Sequence, residues 1–569
     1  MSKKQKGEKY SNEQLAQYYA EFVRENHMEP GVCELNEYLS KHEIPAVVTT
    51  KTFDDVREYA FRDNEDLADL SLNESYFTDE YFDKLEEVLR TCKKFIITTA
   101  VTGKSAKTGY FKTLLNWAAQ NDAQVLILPA SDIYNSKKIF RMNFDPIFKN
   151  DRVWLILNRD HGDSNTISVD ETPDGYYLNK HLWLGCVKLS AKTVNPISGW
   201  DETITSKDAS IIVASPRQHL KYIPSLKHKI PRAVMSTGAC TVNNYKNDRG
   251  QSQKISSKAR EAHQFAAVIV EIENDDIFHF RQIQSENCES FTDLYAKYSF
   301  DGNVTLAKHS TLVMGDSHAG ATDMVLLKDI LNKLVSYASI DEIVLHDLCD
   351  ARPVSPHDRG KLMVQMQKFD DDKYRLVKLF DEIVDYLNII TSIGVRVVVV
   401  NSNHDEHLVR ALQSMSDGIS DFVNGRELLN MALYYLDHKT EPLLQYCINT
   451  LANKKLEHPE LIKWLALDES YVRYGCELGQ HGHLGANGSR GSLKQTARCV
   501  GNAIIGHSHS AGIIGKTFQV GTTSELDQGY NVGLSSWTRT CALLHEDGTK
   551  QLINFIPNSE GGYNFHIED

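Results

Sequence analysis

Asp316 and His318, Asp347, Asn403 with His404, His481, and His507 with His509 are the side chains of this 569-residue sequence whose types and spacing could do chemistry. Carboxylates and amide oxygens suit hard cations, imidazoles suit manganese, iron or zinc, and no thiolate joins the set. Asp316-x-His318 and His507-x-His509 each put two side chains on one side of an extended segment, because strand periodicity is two. A carboxylate such as Asp347 can bridge two cations. Two cations about 3.5–4 Å apart clamp a phosphoryl group and activate water for in-line attack. The expected chemistry is metal-assisted hydrolysis of a phosphoester.

The elements that must position these groups share one design. TLVMGDSHAG (311–320), EIVLHDLCDAR (342–352), RVVVVNSNHDE (396–406), YGCELGQHGHLG (474–485) and NAIIGHSHSAG (502–512) each read as an apolar strand with polar donors at its C-terminal end. Open α/β sheets place their sites along that edge. The four valines 397–400 read as a strand buried on both faces, a rigid support for Asn403 and His404.

As an ordered set, the five stretches resemble the calcineurin-like metallophosphoesterase superfamily, whose pattern is DxH, GDxxD, GNH[DE], a His before Gly, and GHxH. The resemblance covers about residues 305–560. It implies an αββα sandwich in which Asp316, His318 and His509 hold one cation, Asn403, His481 and His507 hold the other, and Asp347 bridges. It also implies that His404 is a catalytic group over the phosphate, oriented by Asp405. Two positions depart from the pattern: His346 and Ser402 stand where the family has glycine. His483 competes with His481 for the ligand role; His481 is preferred because it precedes a glycine and ends the strand. His346, His357 and His407 read either as lining the site or as structural or exposed histidines, and Arg352 as a candidate phosphate contact.

The rest of the chain carries no such signature. Its length predicts three or four domains. Residues 1–90 read as three short helices, SNEQLAQYYAEFVREN, VCELNEYLSKH and TFDDVREYAFR, with Ser11 and Thr52 as caps. They form either a helix-turn-helix-like DNA-binding module or an extension packed on the next domain. Residues 91–304 alternate strand and helix: KFIITTAV, GYFKTLLNWAAQND, QVLILPA, VWLILN, SIIVAS and AAVIVEIE. This predicts an α/β domain with a mainly parallel sheet, for assembly or DNA contact. The turn AVTGKS is no P-loop, because Thr98 stands five before Gly103. The segment 215–232 carries Arg217, Lys221, Lys227, Lys229 and Arg232 without an acid, and reads either as a DNA-backbone contact or as a solvated basic loop. Residues 305–569 form the phosphoesterase domain. The fold class is α/β and multidomain.

Composition narrows the setting. Net charge is −14, so no global positive field exists to gather nucleic acid, and any DNA contact must be local. The 10 cysteines contain no CxxC pair, against a disulfide framework or zinc ribbon. No apolar run reaches the ~18–20 residues that span a bilayer, and the N-terminus lacks a signal-peptide core. The expected location is cytoplasmic.

The NHD and CDAR sequences differ from the NHE and VDRG-like motifs of phosphoserine-type phosphatases, which favours phosphodiesterases and nucleases. HGHLGANGSRGS and GHSHSAGIIGKTFQVGTTSELDQGYNVGLSSW resemble phosphoesterases of tailed bacteriophages, and the three-part order is similar to the pre-early host-DNA-degradation proteins of T-five-like phages. The resemblance implies a DNA nuclease with two divalent metal ions, manganese first and iron, zinc or magnesium as alternatives. It would act in the host cytoplasm. DNA is the expected partner, with a homo-oligomer and further phage or host proteins also expected. Two other readings stand beside it: a phosphodiesterase or phosphatase acting on a small nucleotide or phosphoprotein, and a DNA-binding regulatory scaffold without turnover.

Overall fold

The computed structural model describes residues 10–26, 30, 32–49, 52–64, 76–131, 145–157, 175–187, 189–227, 229–245, 253–358, 361–417 and 421–567. Among them are fourteen α-helices and five sheets, a mixed α/β architecture of several parts.

Strands Ser310–Val313, Ile340–Leu345, Arg396–Val399 and Ile462–Trp464 lie side by side and parallel, so their C-terminal ends share one edge. Two antiparallel strands, Thr540–His545 and Lys550–Asn554, complete this six-stranded sheet. β-Branched residues fill its centre, as a sheet covered on both faces requires. Leu312, Ile343, Leu345, Val397 and Val399 pack toward helical residues such as Phe380, Ile383 and Leu408. Val313, Val344, Val398 and Val400 face the other way and share a core with Ile504, Phe518 and Val520 of a second sheet. The valine run thus serves two cores at once.

That second sheet has ten strands and draws on both halves of the chain. Gly512–Ile514, just after the GHSH stretch, pairs antiparallel with His219–Ile223 of the basic segment through Ile513↔Leu220 and Ile514↔His219. The sheet therefore runs across position 304/305. Ser210–Val213 belongs here too, rather than with the other apolar runs of the middle region. Those form a five-stranded sheet that is mixed, not mainly parallel. Lys94–Val101, Gln124–Ala130 and Val153–Leu155 are parallel, but Ala266–Ile272 runs antiparallel to the first. The cause is local. Asn274 Oδ1 accepts from the backbone of Asp276 and Ile277, and this tight turn returns Phe278–Gln284 as a hairpin partner of Ala266–Ile272.

Near the N-terminus, helices Asn12–Asn26, Val32–Lys41 and Phe53–Asp63 enclose their own core of Leu15, Tyr19, Val23, Leu35, Leu39 and Val56. Ser11 caps as expected: its hydroxyl accepts from Gln14 N, and the Gln14 amide oxygen accepts from Ser11 N. Thr52 does not cap; its hydroxyl is engaged with Thr49. No helix among the described residues is long and apolar enough to cross a membrane.

Candidate metal centre

The shared edge of the parallel strands gathers the predicted donors. Asp316 and Asp347 follow the first two strands and are buried. After Arg396–Val399 the chain turns at Ser402 into helix Asn403–Gln413, so Asn403 opens a helix rather than ending a strand. His481 comes from an irregular stretch beyond the two-residue strand Cys476–Glu477, not from a long strand. His507 and His509 follow Ala503–Ile505 of the second sheet. Four of these residues take left-handed backbone: φ is +44° at His318, +47° at Asp347, +81° at His507 and +57° at His509. Non-glycine residues there cost of order 1–3 kcal/mol each, and such strain clusters at sites that work.

Two groups of donors meet. In the first, Asp316, His318, Asp347 and His509 each offer one ligand atom within 4.8 Å of the others, a buried cluster able to hold a metal ion. His318 Nε2 lies 2.9 Å from His509 Nε2 and 3.4 Å from Asp347 Oδ2, and His509 Nε2 lies 3.2 Å from Asp316 Oδ2. In the second, Asn403 Oδ1 stands 3.0 Å from His481 Nε2 and 3.0 Å from His507 Nδ1. His481 Nε2 is 3.7 Å from Asp347 Oδ2, so Asp347 stands between the groups. The donors fit divalent cations. Asp316 Oδ1 and Asp347 Oδ1 are buried without a hydrogen-bond partner among the described residues, a costly arrangement unless a cation faces them.

The electrostatics agree with a site built for positive charge. Burial alone would raise the Asp347 carboxyl, yet the imidazoles of His404, His318 and His481 hold it far below its usual range. Burial would lower His318, but the carboxylates of Asp347, Asp350 and Asp316 lift it to about 9. His481 goes the other way: burial pulls it down to about 3, the neutral state a ligand imidazole needs.

His404 sits at the rim, half-buried, with Nε2 3.8 Å from Asp347 Oδ2. Its orientation differs from expectation. His404 Nδ1 is 2.5 Å from the backbone oxygen of Asp350, which fixes the ring. Asp405 instead closes a capping box with Ser402: its Oδ2 accepts from Ser402 N at 2.8 Å, and Ser402 Oγ accepts from Asp405 N. Adjacent helical residues do not face each other, so Asp405 cannot reach the His404 ring from its own helix turn. Burial and the Asp347 charge lift the Asp405 carboxyl to about 7.

Two residues here were given no definite role by the sequence reading, which matched Asp350 to the GDxxD pattern and weighed His346 between lining the site and a structural place. Asp350 is a hub: Oδ1 lies 3.5 Å from His318 Nδ1, Oδ2 is 3.0 Å from Arg352 Nε, and its carbonyl holds His404. The GDxxD spacing was its only signal. His346 is fully buried, its ring 5.6 Å from His481, with no partner on either nitrogen among the described residues. Gly506 keeps the floor open, since a Cβ there would lie 2.2 Å from Asp316 Oδ1.

No family model matches the chain. It is 28% identical over 488 residues to "Protein A1" of Escherichia phage T5, across 81% of this chain and 82% of that protein. The chain is related to a bacteriophage protein. Its basic segment is less exposed than the sequence suggested. Arg217 is buried and reaches the backbone oxygens of Val194 and Lys258. The others meet acids outside the segment: Lys221 pairs with Asp201, Lys227 with Asp527, and Lys229 and Arg232 with Asp208. Arg352 reaches the centre only through Asp350. The His407 ring lies 4.9 Å from that of His404 and is tilted to it, and His483 lies 3.9 Å from Glu406. The His357 side chain and His228 lie outside the described residues.

Proposed function

We propose that this chain is a two-cation phosphodiesterase of the calcineurin-like metallophosphoesterase superfamily, and that it hydrolyses DNA. One observation carries the reading: seven donors, from Asp316 to His509, converge at one sheet edge in two groups joined by Asp347, with His404 beside them. Asp316, His318, Asp347 and His509 would hold one cation, and Asp347, Asn403, His481 and His507 the other. When bound, the pair supplies charge for the phosphoryl oxygens and a nucleophilic water at neutral pH.

The chain's own residues do the rest. Hydrogen-bonded at Nδ1 to the Asp350 carbonyl, His404 carries its exchangeable proton at Nε2, the nitrogen that faces the centre. Protonated there, it donates to the leaving oxygen as the phosphorus–oxygen bond breaks. Asp350 positions both His404 and His318, the role that outer carboxylates play around ligand imidazoles. The kinship with a phage protein and the NHD and CDAR sequences support a nuclease that degrades host DNA early in infection, in the host cytoplasm, with manganese as the metal.

The test is direct. Pure protein with Mn²⁺ is incubated with linear duplex DNA, single strands and a bis-aryl phosphate. Cleavage of DNA is expected; cleavage of the small ester alone would reject the nuclease reading. If His404→Ala kept full turnover, catalysis at this centre would be refuted.

A further inference from the structure

Beside the centre lies a group of aromatic side chains that catalysis does not use. Trp537 packs edge-on against His509, with ring centroids 4.2 Å apart. Tyr530 packs in turn against Trp537 at 5.9 Å and keeps 54% of its surface open. Both belong to the loop 525–537, which does not sink its apolar residues into a core: Val532 is 83% exposed and Leu534 64%. Core packing therefore does not account for this pair.

The loop is fixed in place. Ser225 and Ser535 exchange two backbone hydrogen bonds of 2.9 Å, and Lys227 Nζ bonds Asp527 Oδ1 at 2.7 Å. These contacts stitch the aromatic loop to the basic segment. Between them opens a cleft of about 540 Å³, lined by Trp537 with Tyr222, Phe278, Lys227, Lys229 and Arg232.

We propose that Tyr530 and Trp537 form a stacking platform for an unpaired nucleobase next to the phosphodiester held at the centre. The proposal rests on the nuclease reading above and names its substrate class: single-stranded DNA, or duplex ends that have frayed. A base inside a duplex has both faces covered by its neighbours. Only an unstacked base can lie on a protein ring, and every base has a π-face to offer, so such binding tolerates any sequence. The rings lie within one or two side chains of His509, so a nucleotide attached to the bound phosphate falls beside them. The cleft beyond carries further aromatic side chains, Tyr222 and Phe278, while its Lys227, Lys229 and Arg232 are paired with Asp527 and Asp208.

The test uses the full chain with Mn²⁺ and three substrates: a single-stranded oligonucleotide, the same strand with one abasic nucleotide flanking the cleaved bond, and a duplex closed by hairpins at both ends. Tyr530→Ala should raise KM for the single strand roughly tenfold, the size of one lost base–aromatic stack, while metal content stays native and Tyr530→Phe restores KM. The native protein should lose the same factor on the abasic strand, and Tyr530→Ala should show no second loss. The closed duplex should be cut slowest. Equal KM for Tyr530→Ala and native protein, an abasic penalty that persists in the variant, or equal rates on closed duplex and single strand would each overturn the platform while leaving the nuclease reading intact. Absence of cleavage of every DNA by native protein would overturn both.

Discussion

His404, Gly506 and His219 act by three different physical means, and substitution separates them. In the proposed mechanism His404 moves a proton, and it is not one of the donors that would hold a cation. His404→Ala should keep its metal content, measured by elemental analysis, and lose roughly 10²–10⁴-fold in turnover. Gly506→Ala should act on the metal instead. Its new Cβ would lie 2.2 Å from Asp316 Oδ1, so the carboxylate must swing away and bound metal should fall with activity. His219 lies in the second sheet, where burial, then the Arg217 charge, pull it down to about 4. The unfolded chain takes up that proton near pH 6.5 and the folded chain only near pH 4. Stability should therefore fall as pH drops through that window, by up to about 1.4 kcal/mol per pH unit from this residue. Melting curves from pH 7 to pH 4 should flatten in His219→Gln. At this scale the donors were legible because imidazoles and carboxylates stand out at strand ends. The orientation of His404 was not, because a backbone carbonyl holds it and any residue type carries one. The ion pairs of the basic segment were hidden too, since Asp208 and Asp527 come from elsewhere in the chain.

Elements set how well those residues stay aimed. Helix Asn403–Gln413 begins with a capping box, and its first residue is Asn403 itself. Ser402→Ala removes the hydroxyl that satisfies Asp405 N and should cost ~1 kcal/mol, read as a lower melting temperature with metal still bound. A serine where the family pattern has glycine is thus explained by the helix it starts. The parallel strands were legible from their length and β-branched content. Their sheet partners were not: Ser210–Val213 and Lys94–Val101 look alike as apolar runs, yet long-range pairing sends them to different sheets. The turn at Asn274 carried the one local signal of an antiparallel return, and alternation of strand and helix masked it.

Across the whole molecule, the ten-stranded sheet couples the middle region to the metal centre. A fragment of residues 305–569 would bare the edge of Gly512–Ile514 and the faces of Ile513 and Phe518, three residues or more beyond His509. Exposed edges of this kind pair with other copies. The fragment should aggregate on expression; a monomeric, natively folded fragment on size exclusion would refute the coupling. The shared sheet was not legible in the sequence, because register between distant strands leaves no local mark. The six-stranded sheet has its own consequence. Ser310 pairs with His545, 235 positions later, and the strand between Ser310 and Asp316 has no antiparallel neighbour until that residue exists. On the ribosome, Asp316 must wait for the strand Thr540–His545 before its surroundings close. A centre assembled in this order stays open until translation has passed position 545.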